Sequence, residues 1–282
     1  MGKDVALVLS SGGARGLAHI GAIEELEAQG YSITSIAGCS MGALIGGVYA
    51  AGKLGEFRDW MKTVDRKKML ELTDFSFSLN HIVKGTRIIE AIMEFVPDVK
   101  IEDLPIPYCA VATDWVTGRE VVFREGSLFE AIRASISLPS FYEPVHRDGM
   151  ILIDGGVTNP IPLNRVVRKE GDILVGVDVS GHDYKAQSEM QPELAEKRKR
   201  STSLSQQILN KLIPDNLEFN YYTMLSRVSS ILIRQNSILM AQLMKPDILV
   251  DIQMARYGGF DFDKSEKLIA IGRQKTLQAL NK

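Results

Sequence analysis

The stretch SIAGCSMGALIGGVYAA, residues 35–51, predicts a short strand that turns at once into a helix of small residues. Its first five residues suit a brief buried strand, and the part after Ser40 is rich in Ala, Gly and Ile. Gly38 and Gly42 flank the serine in a Gly-x-Ser-x-Gly pattern, and glycines there allow the strand and helix backbones to approach closely. The stretch therefore predicts a sharp strand-to-helix turn with a serine at its apex.

The sequence before this stretch has the same alternation of strand and helix. Residues 5–9 form a continuous apolar run typical of a buried parallel strand, and residues 17–26 have apolar side chains at helical spacing before Gly30 ends the helix. The order strand, helix, strand, helix predicts an α/β fold with a parallel sheet covered by helices. Further strands are predicted at residues 108–113, 120–123, 150–153, 173–179 and 247–251, and further helices at residues 86–95, 128–136, 163–167 and 264–280.

Composition and charge exclude several classes of partner. The 282 residues are 45% hydrophobic and 24% charged, as in ordinary globular proteins. A formal net charge of -2 predicts no general affinity for polyanions, so we expect no nucleic-acid partner. The two cysteines, Cys39 and Cys109, form no CxxC pair and no disulfide framework, which is typical of a reducing compartment.

The sequence predicts neither a secretory signal nor a membrane-spanning helix. The longest uncharged stretch, residues 36–52, is shorter than the ~20 apolar residues that a membrane span needs. We therefore expect a cytoplasmic protein whose contact with a membrane is peripheral.

The pattern along the chain predicts one domain. Residues 1–182 are expected to form its core, and the polar residues 183–202 an exposed loop or insertion. Residues 203–282 are expected to complete the same domain with a mainly helical segment, a strand and a helix.

Ser40 is the strongest candidate for a nucleophile. At the apex of the turn its hydroxyl would stand at the carboxyl edge of the sheet and at a helix N-terminus, where amides and the helix dipole favour developing negative charge. The alternative is a purely structural glycine-rich turn. The neighbouring Cys39 is expected to point into the packed interior, and so to be no rival nucleophile.

Two further turns could supply what a nucleophilic serine needs. Residues 11–16, SGGARG, form a glycine-rich loop whose amides can converge on an oxyanion; a phosphate loop or a plain tight turn are the alternatives. Against a phosphate loop, the lysine of a P-loop is missing. Asp154 follows an apolar run and precedes two glycines, which suits either a turn or a proton acceptor at the end of a strand. Asp114 is the reserve candidate for the base.

These three motifs, in this order, resemble the patatin-like phospholipases, and residues 133–145, RASISLPSFYEPV, are similar to the segment before the aspartate in that family. The resemblance covers roughly residues 5–179. It implies a three-layer α/β/α sandwich with a mainly parallel sheet, and hydrolysis of lipid acyl esters by a Ser-Asp dyad without a metal or cofactor. By position it assigns the nucleophile to Ser40 and the base to Asp154. It also assigns the oxyanion loop to Gly12, Gly13 and Ala14, with Arg15 as the loop's basic residue, and has Ser11 where the family usually has a glycine.

A dyad predicts that no histidine is required. His182 is the only histidine after Asp154 that could complete a Ser-Asp-His triad, and a place in a polar surface loop is the favoured interpretation. His19, in the first predicted helix, is expected to be a packed or helix-capping residue.

Residues 62–84 predict either a cover over an apolar groove or an ordinary surface loop. The basic run 197–200 could attract anionic headgroups, although such runs are more often solvated loops.

Three functions follow from these observations. The first is a lipid acyl hydrolase of phospholipase A or lysophospholipase type. The second is a soluble esterase or thioesterase, which would use the same chemistry on monomeric substrates. The third is a phosphate- or nucleotide-binding module built on residues 11–16. The sequence leaves the acyl chain, the headgroup and the oligomeric state open, because a fold does not determine a substrate.

Overall fold

The computed structural model describes residues 3–72, 86–139, 141–181, 221–254 and 257–282. The predictions for His182, for the loop at residues 183–202 and for the basic run 197–200 concern residues outside these ranges. The same holds for residues 73–84 of the predicted cover. Residues 66–72 of that segment form a helix.

The strands of the described residues form one central sheet. They are β1 (Lys3–Leu9), β2 (Tyr31–Cys39), β3 (Tyr108–Asp114), β4 (Glu120–Phe123), β5 (Val145–Arg147), β6 (Met150–Asp154), β7 (Ile173–Gly181) and β8 (Ile248–Gln253). Their order is β5-β6-β3-β2-β1-β7-β8, and β4 also pairs with β3. The pairings among β1, β2, β3, β7 and β8 are parallel, whereas those of β4, β5 and β6 are antiparallel. The sheet is therefore mainly parallel, as predicted.

Helices cover both faces of this sheet. They are α1 (Ala18–Ala28), α2 (Met41–Ala50), α3 (Leu54–Lys62), α4 (Arg66–Leu72), α5 (Thr86–Met93), α6 (Leu128–Ser135), α7 (Tyr221–Met244) and α8 (Ser265–Leu280). Side chains alternate along β1, so Leu7 and Leu9 join the large core beneath α1, α2 and α6, while Ala6 and Val8 join a smaller core on the opposite face. Met240 of α7 packs against that smaller core. The predicted three-layer α/β/α architecture is confirmed.

The C-terminal helix α8 packs directly on α1 through glycines. A Cβ on Gly21 would lie 1.9 Å from the Ile269 carbonyl oxygen, and one on Gly272 would lie 1.9 Å from that of Ala18. Strand β8 pairs with β7. Strand β8 and helix α8, at the end of the chain, are therefore part of the same sheet-and-helix assembly.

The helix predicted at residues 163–167 is wrong. The Leu163 amide donates to the Ile161 carbonyl at 2.7 Å, and the Arg165 amide donates to the Pro162 carbonyl at 3.0 Å, so the segment is a pair of tight turns. Both Ile161 and Leu163 are buried, and these turns direct the two side chains into the smaller core of the sheet. Strand β5 and helices α3 and α4 were not predicted from the sequence.

Within the part of the chain that the structure describes, none of the helices is both long enough and apolar enough to cross a membrane.

Candidate active site

Ser40 occupies a tight turn between β2 and α2. Its φ of 54° and ψ of -122° place it in a left-handed region that non-glycine residues rarely adopt. The flanking glycines make this turn sterically feasible, because a Cβ on Gly38 would lie 2.4 Å from the Gly42 carbonyl oxygen. A Cβ on Gly42 would lie 2.2 Å from the Leu9 carbonyl oxygen of the neighbouring strand. The predicted strand-to-helix turn is therefore present, and its apex is strained.

Ser40 and Asp154 face each other across β3. Cys39 pairs with Val111 on one side of β3, and Asp154 pairs with Ala112 on the other, so the two residues stand at the same level of the sheet. The Ser40 Oγ donates a hydrogen bond of 2.5 Å to Asp154 Oδ2. Both side chains are buried, with exposed fractions of 8% and 4%.

The second carboxylate oxygen of Asp154 is also engaged. Its Oδ1 accepts a hydrogen bond of 2.7 Å from the Gly156 amide. Burial raises the pKa of Asp154 to about 6, although the hydrogen bonds from Ser40 and Gly156 oppose that rise. A carboxylate in such surroundings is a stronger base than one in water, and it is still ionised at neutral pH.

The glycine-rich loop packs against residues that follow Ser40 and Asp154 in the sequence, namely Met41 and Gly156. A Cβ on Gly16 would lie 2.2 Å from the Met41 side chain, and one on Gly156 would lie 3.1 Å from Ser11 Oγ. The left-handed residue of the loop is Gly13, with a φ of 58°, and Ser11 does not have a positive φ. The serine at the position where the family usually has a glycine is therefore compatible with the loop.

The amides of this loop differ in their hydrogen bonding. Within the described residues, the amides of Gly12 and Gly13 make no hydrogen bond and so can receive an oxyanion. The Ala14 amide instead donates to the Gly259 carbonyl at 2.7 Å. The segment around Gly259 is held in turn by Phe260, whose ring lies 4.3 Å from that of Phe141, centroid to centroid.

The Arg15 side chain binds the main chain of the same loop. Its Nε donates to the Gly12 carbonyl at 3.2 Å. Burial lowers the pKa of Arg15, and the carboxylate of Asp178 opposes that change. Asp178 also forms a largely buried ion pair of 2.8 Å with Arg234 of α7.

The rival residues have other roles. Cys39 is buried, and burial raises the pKa of its thiol well above its usual range, so it stays protonated. Asp114 accepts hydrogen bonds from Thr117 Oγ1 at 2.6 Å and from the Val116 amide at 3.2 Å, as a turn residue does, and these bonds lower its pKa.

His19 is a packed residue, as predicted. Its side chain is fully buried, and its Nε2 lies 2.9 Å from the Ser10 carbonyl oxygen. Burial lowers the pKa of His19 to about 4, so the ring is neutral at physiological pH.

Sequence reasoning missed Ser135, the last residue of α6. Its Oγ accepts a hydrogen bond of 2.8 Å from the Ser40 amide and donates one of 2.6 Å to the Val111 carbonyl. The only signal of this contact was its place in residues 133–145, the stretch that precedes the aspartate.

An apolar pocket begins next to the serine turn. Met41 follows Ser40 directly, Leu44 lies one helical turn further along α2, and Leu17 ends the short helix (Gly13–Leu17) that begins within the glycine-rich loop. Every residue that lines the pocket is apolar: Leu17, Met41, Leu44, Phe57, Trp60, Met61, Val64, Met69, Leu72, Ile88, Ile92 and Phe262.

Among the residues that the structure describes, no group of three His, Cys, Asp or Glu side chains is arranged to hold a metal ion.

Known proteins share both the sequence pattern and the fold. An uncharacterized NTE family protein of Mycobacterium tuberculosis is 44% identical over 190 residues, which are 67% of this chain and 53% of that protein. Neuropathy target esterase sws of Drosophila melanogaster is 31% identical over 189 residues, which are 64% of this chain and 13% of that protein. The match thus spans about half the length of the mycobacterial relative and a small part of the insect one.

A solved structure, VipD from Legionella pneumophila, has a similar fold with a TM-score of 0.52 and 14% identity, over 99% of this chain and 67% of that one. The family of patatin-like phospholipases itself matches residues 7–167. Because residues 7–167 are more than half of this chain of 282 residues, the chain belongs to the patatin-like phospholipase family.

Proposed function

We propose that this protein is a lipid acyl hydrolase of phospholipase A or lysophospholipase type, with Ser40 as nucleophile and Asp154 as its base. The observation that supports this most directly is the 2.5 Å hydrogen bond between Ser40 Oγ and Asp154 Oδ2 in a buried site. Membership of the patatin-like phospholipase family supports ester hydrolysis on lipids as the class of reaction.

The reaction begins when Asp154 accepts the proton of the Ser40 hydroxyl. The serine oxygen attacks the acyl carbonyl and forms a tetrahedral oxyanion, and collapse of that intermediate expels the alcohol, which takes the proton from Asp154. The acyl group is then bonded to Ser40. A water molecule that loses its proton to Asp154 attacks this ester, and the fatty acid leaves as the serine regains its proton.

The oxyanion requires amide donors, and the proposal assigns this role to Gly12 and Gly13. Their amides are without a partner among the described residues, whereas the Ala14 amide already donates to Gly259. Arg15 supports the loop through the Gly12 carbonyl. Loss of one oxyanion donor typically costs about 3 kcal/mol of transition-state stabilisation.

The apolar pocket favours a lipid over a small soluble ester. It begins at Met41, next to the nucleophile, and a wholly apolar lining suits an alkyl chain and not a polar headgroup. Met41, Met61 and Met69 also give the pocket side chains that adapt easily to different chain shapes. The cavity between these side chains has a volume of about 10 Å³, so they must move apart to admit an alkyl chain, and we assign the acyl chain to the pocket in that opened form.

The test is turnover of phospholipids, lysophospholipids and p-nitrophenyl esters of increasing chain length by wild type and Ser40→Ala. We expect wild type to release fatty acid and to be labelled by a fluorophosphonate, and Ser40→Ala to do neither. Equal labelling of the two proteins would exclude Ser40 as the nucleophile. Activity restricted to short soluble esters would favour the soluble esterase instead.

A triad through His182 is the competing mechanism, and His182 lies outside the described residues. The dyad predicts that His182→Ala keeps wild-type turnover within about threefold, because a general base normally contributes about 10²-fold or more. Loss of turnover in a folded His182→Ala protein would favour the triad. A cytoplasmic location and peripheral membrane contact stay predictions from the sequence.

A further inference from the structure

We propose that Ser135 is a positioning residue for the nucleophile, an inference that rests on the proposed hydrolase function. Its hydroxyl touches no reacting atom. It binds the main chain of Ser40 instead, and so acts on the direction in which the Ser40 side chain points.

The first step concerns the strained turn. Ser40 has a φ of 54° without being glycine, so its conformation persists only if neighbouring groups hold it. The Ser40 amide donates to Ser135 Oγ at 2.8 Å. No helix or strand partner is available to this amide, because Ser40 follows the last residue of β2 and precedes the first residue of α2.

The second step concerns how Ser135 is itself held. Its side chain is fully buried, and its hydroxyl donates to the Val111 carbonyl at 2.6 Å. A hydroxyl has a single proton, so this bond turns the lone pairs of Ser135 Oγ towards the Ser40 amide. Val111 is the residue of β3 that pairs with Cys39, so Ser135 connects the turn to the strand beside it.

The third step links this contact to the base. Asp154 pairs with Ala112, the residue after Val111, and the Asp154 amide donates to the Ser137 carbonyl at 2.9 Å. Ser135, the last residue of α6, and Ser137, two residues later, therefore contact the main chains of Ser40 and Asp154 respectively. Loss of the Ser135 hydroxyl leaves the carboxylate in place and releases only the serine turn.

The experiment compares two single substitutions in the wild-type protein, Ser135→Ala and the control Ser35→Ala. Ser35 is a buried serine of β2, the strand that leads into the Ser40 turn, and its hydroxyl donates to the Val167 carbonyl. The readouts are kcat, KM, the pH dependence of kcat, the melting temperature, and the hydrogen exchange rate of the Ser40 amide.

We expect Ser135→Ala to lower kcat by about tenfold to a hundredfold with KM within about twofold, because a small misplacement of a reacting group has effects of this size. The acid limb of the pH profile is expected to stay in place, since Ser135 does not contact the Asp154 carboxylate. The Ser40 amide is expected to exchange faster. Ser35→Ala is expected to keep kcat and the Ser40 exchange rate.

A kcat for Ser135→Ala that equals that of Ser35→Ala, at comparable melting temperature, would overturn the inference while the hydrolase function stands. An inactive wild type, indistinguishable from Ser40→Ala, would overturn the function and the inference with it. If Ser135→Ala does not fold, Ser135→Cys carries the same comparison, because it keeps the side-chain shape and replaces a strong acceptor by a weak one.

Discussion

The Ser40 hydroxyl lies 2.5 Å from Asp154 Oδ2 because strand β3 has β2, which leads into Ser40, on one side and β6, which ends at Asp154, on the other. Cys39 pairs with Val111 and Asp154 pairs with Ala112, and this difference of one residue in register brings the hydroxyl and the carboxylate to one level.

The first prediction concerns the pH dependence of turnover. The base must be ionised to accept the serine proton, and burial raises the pKa of Asp154 to about 6. We expect kcat/KM to fall about tenfold for each pH unit below that value and to level off above it. Asp154→Asn is expected to lower kcat by about 10²-fold to 10⁴-fold and to remove the acid limb. A limb that persists in Asp154→Asn would contradict the assignment of the base.

The second prediction concerns the free energy of unfolding of Asp154→Asn. The pKa of Asp154 is higher in the folded protein, about 6, than in the unfolded chain, so the stability from this residue is full below pH 4 and is lost as pH rises through 6. A rise of about two units corresponds to a loss on the order of 3 kcal/mol. Chemical denaturation at pH 8 and pH 4 should show the Asn variant more stable than wild type at pH 8, with a smaller difference at pH 4.

The third prediction concerns the packing of the serine turn. Gly42→Ala places a Cβ 2.2 Å from the Leu9 carbonyl oxygen, so we expect a loss of stability of about 1–3 kcal/mol and a loss of turnover. Gly55→Ala, in helix α3, is the matched control because a Cβ there meets no atom within 4 Å. Its expected effect is the usual gain of Ala over Gly in a helix, about 0.5–1 kcal/mol. A neutral Gly42→Ala in thermal denaturation would contradict the close approach.

The fourth prediction concerns the acyl pocket. Val64 is buried in the lining, and Val64→Phe should oppose the opening of this small cavity that a long alkyl chain requires. We expect kcat/KM for long-chain p-nitrophenyl esters to fall about tenfold relative to short-chain esters, a loss equivalent to one or two buried methylenes. Val116→Phe makes the same substitution at an exposed position outside the pocket. The assignment of the pocket fails if both variants keep the wild-type ratio of long-chain to short-chain activity.

Local patterns predicted most of the fold. The continuous apolar runs became β1 and the end of β2, and the small-residue segment after Ser40 became α2. These patterns work because side chains of a strand or helix repeat with a fixed period, and periodicity is visible in a sequence. The helix at residues 163–167 was wrong because five residues are too few to show a period.

The sequence by itself also determined the chemistry that this chain can offer: a serine in a glycine-flanked turn, a glycine-rich loop and an aspartate before two glycines. Each motif is local, since it depends on what a few neighbouring residues can adopt.

Only the tertiary structure decided how these motifs meet. Asp154 ends an antiparallel strand, so its position beside Ser40 depends on the register of β6 on β3 and not on a shared strand direction. The Ala14 amide is occupied by Gly259, and the Ser40 amide is held by Ser135. A backbone amide pairs with whichever acceptor the folded chain brings near it, and every residue type carries the same carbonyl, so residue identity alone contains no record of these contacts.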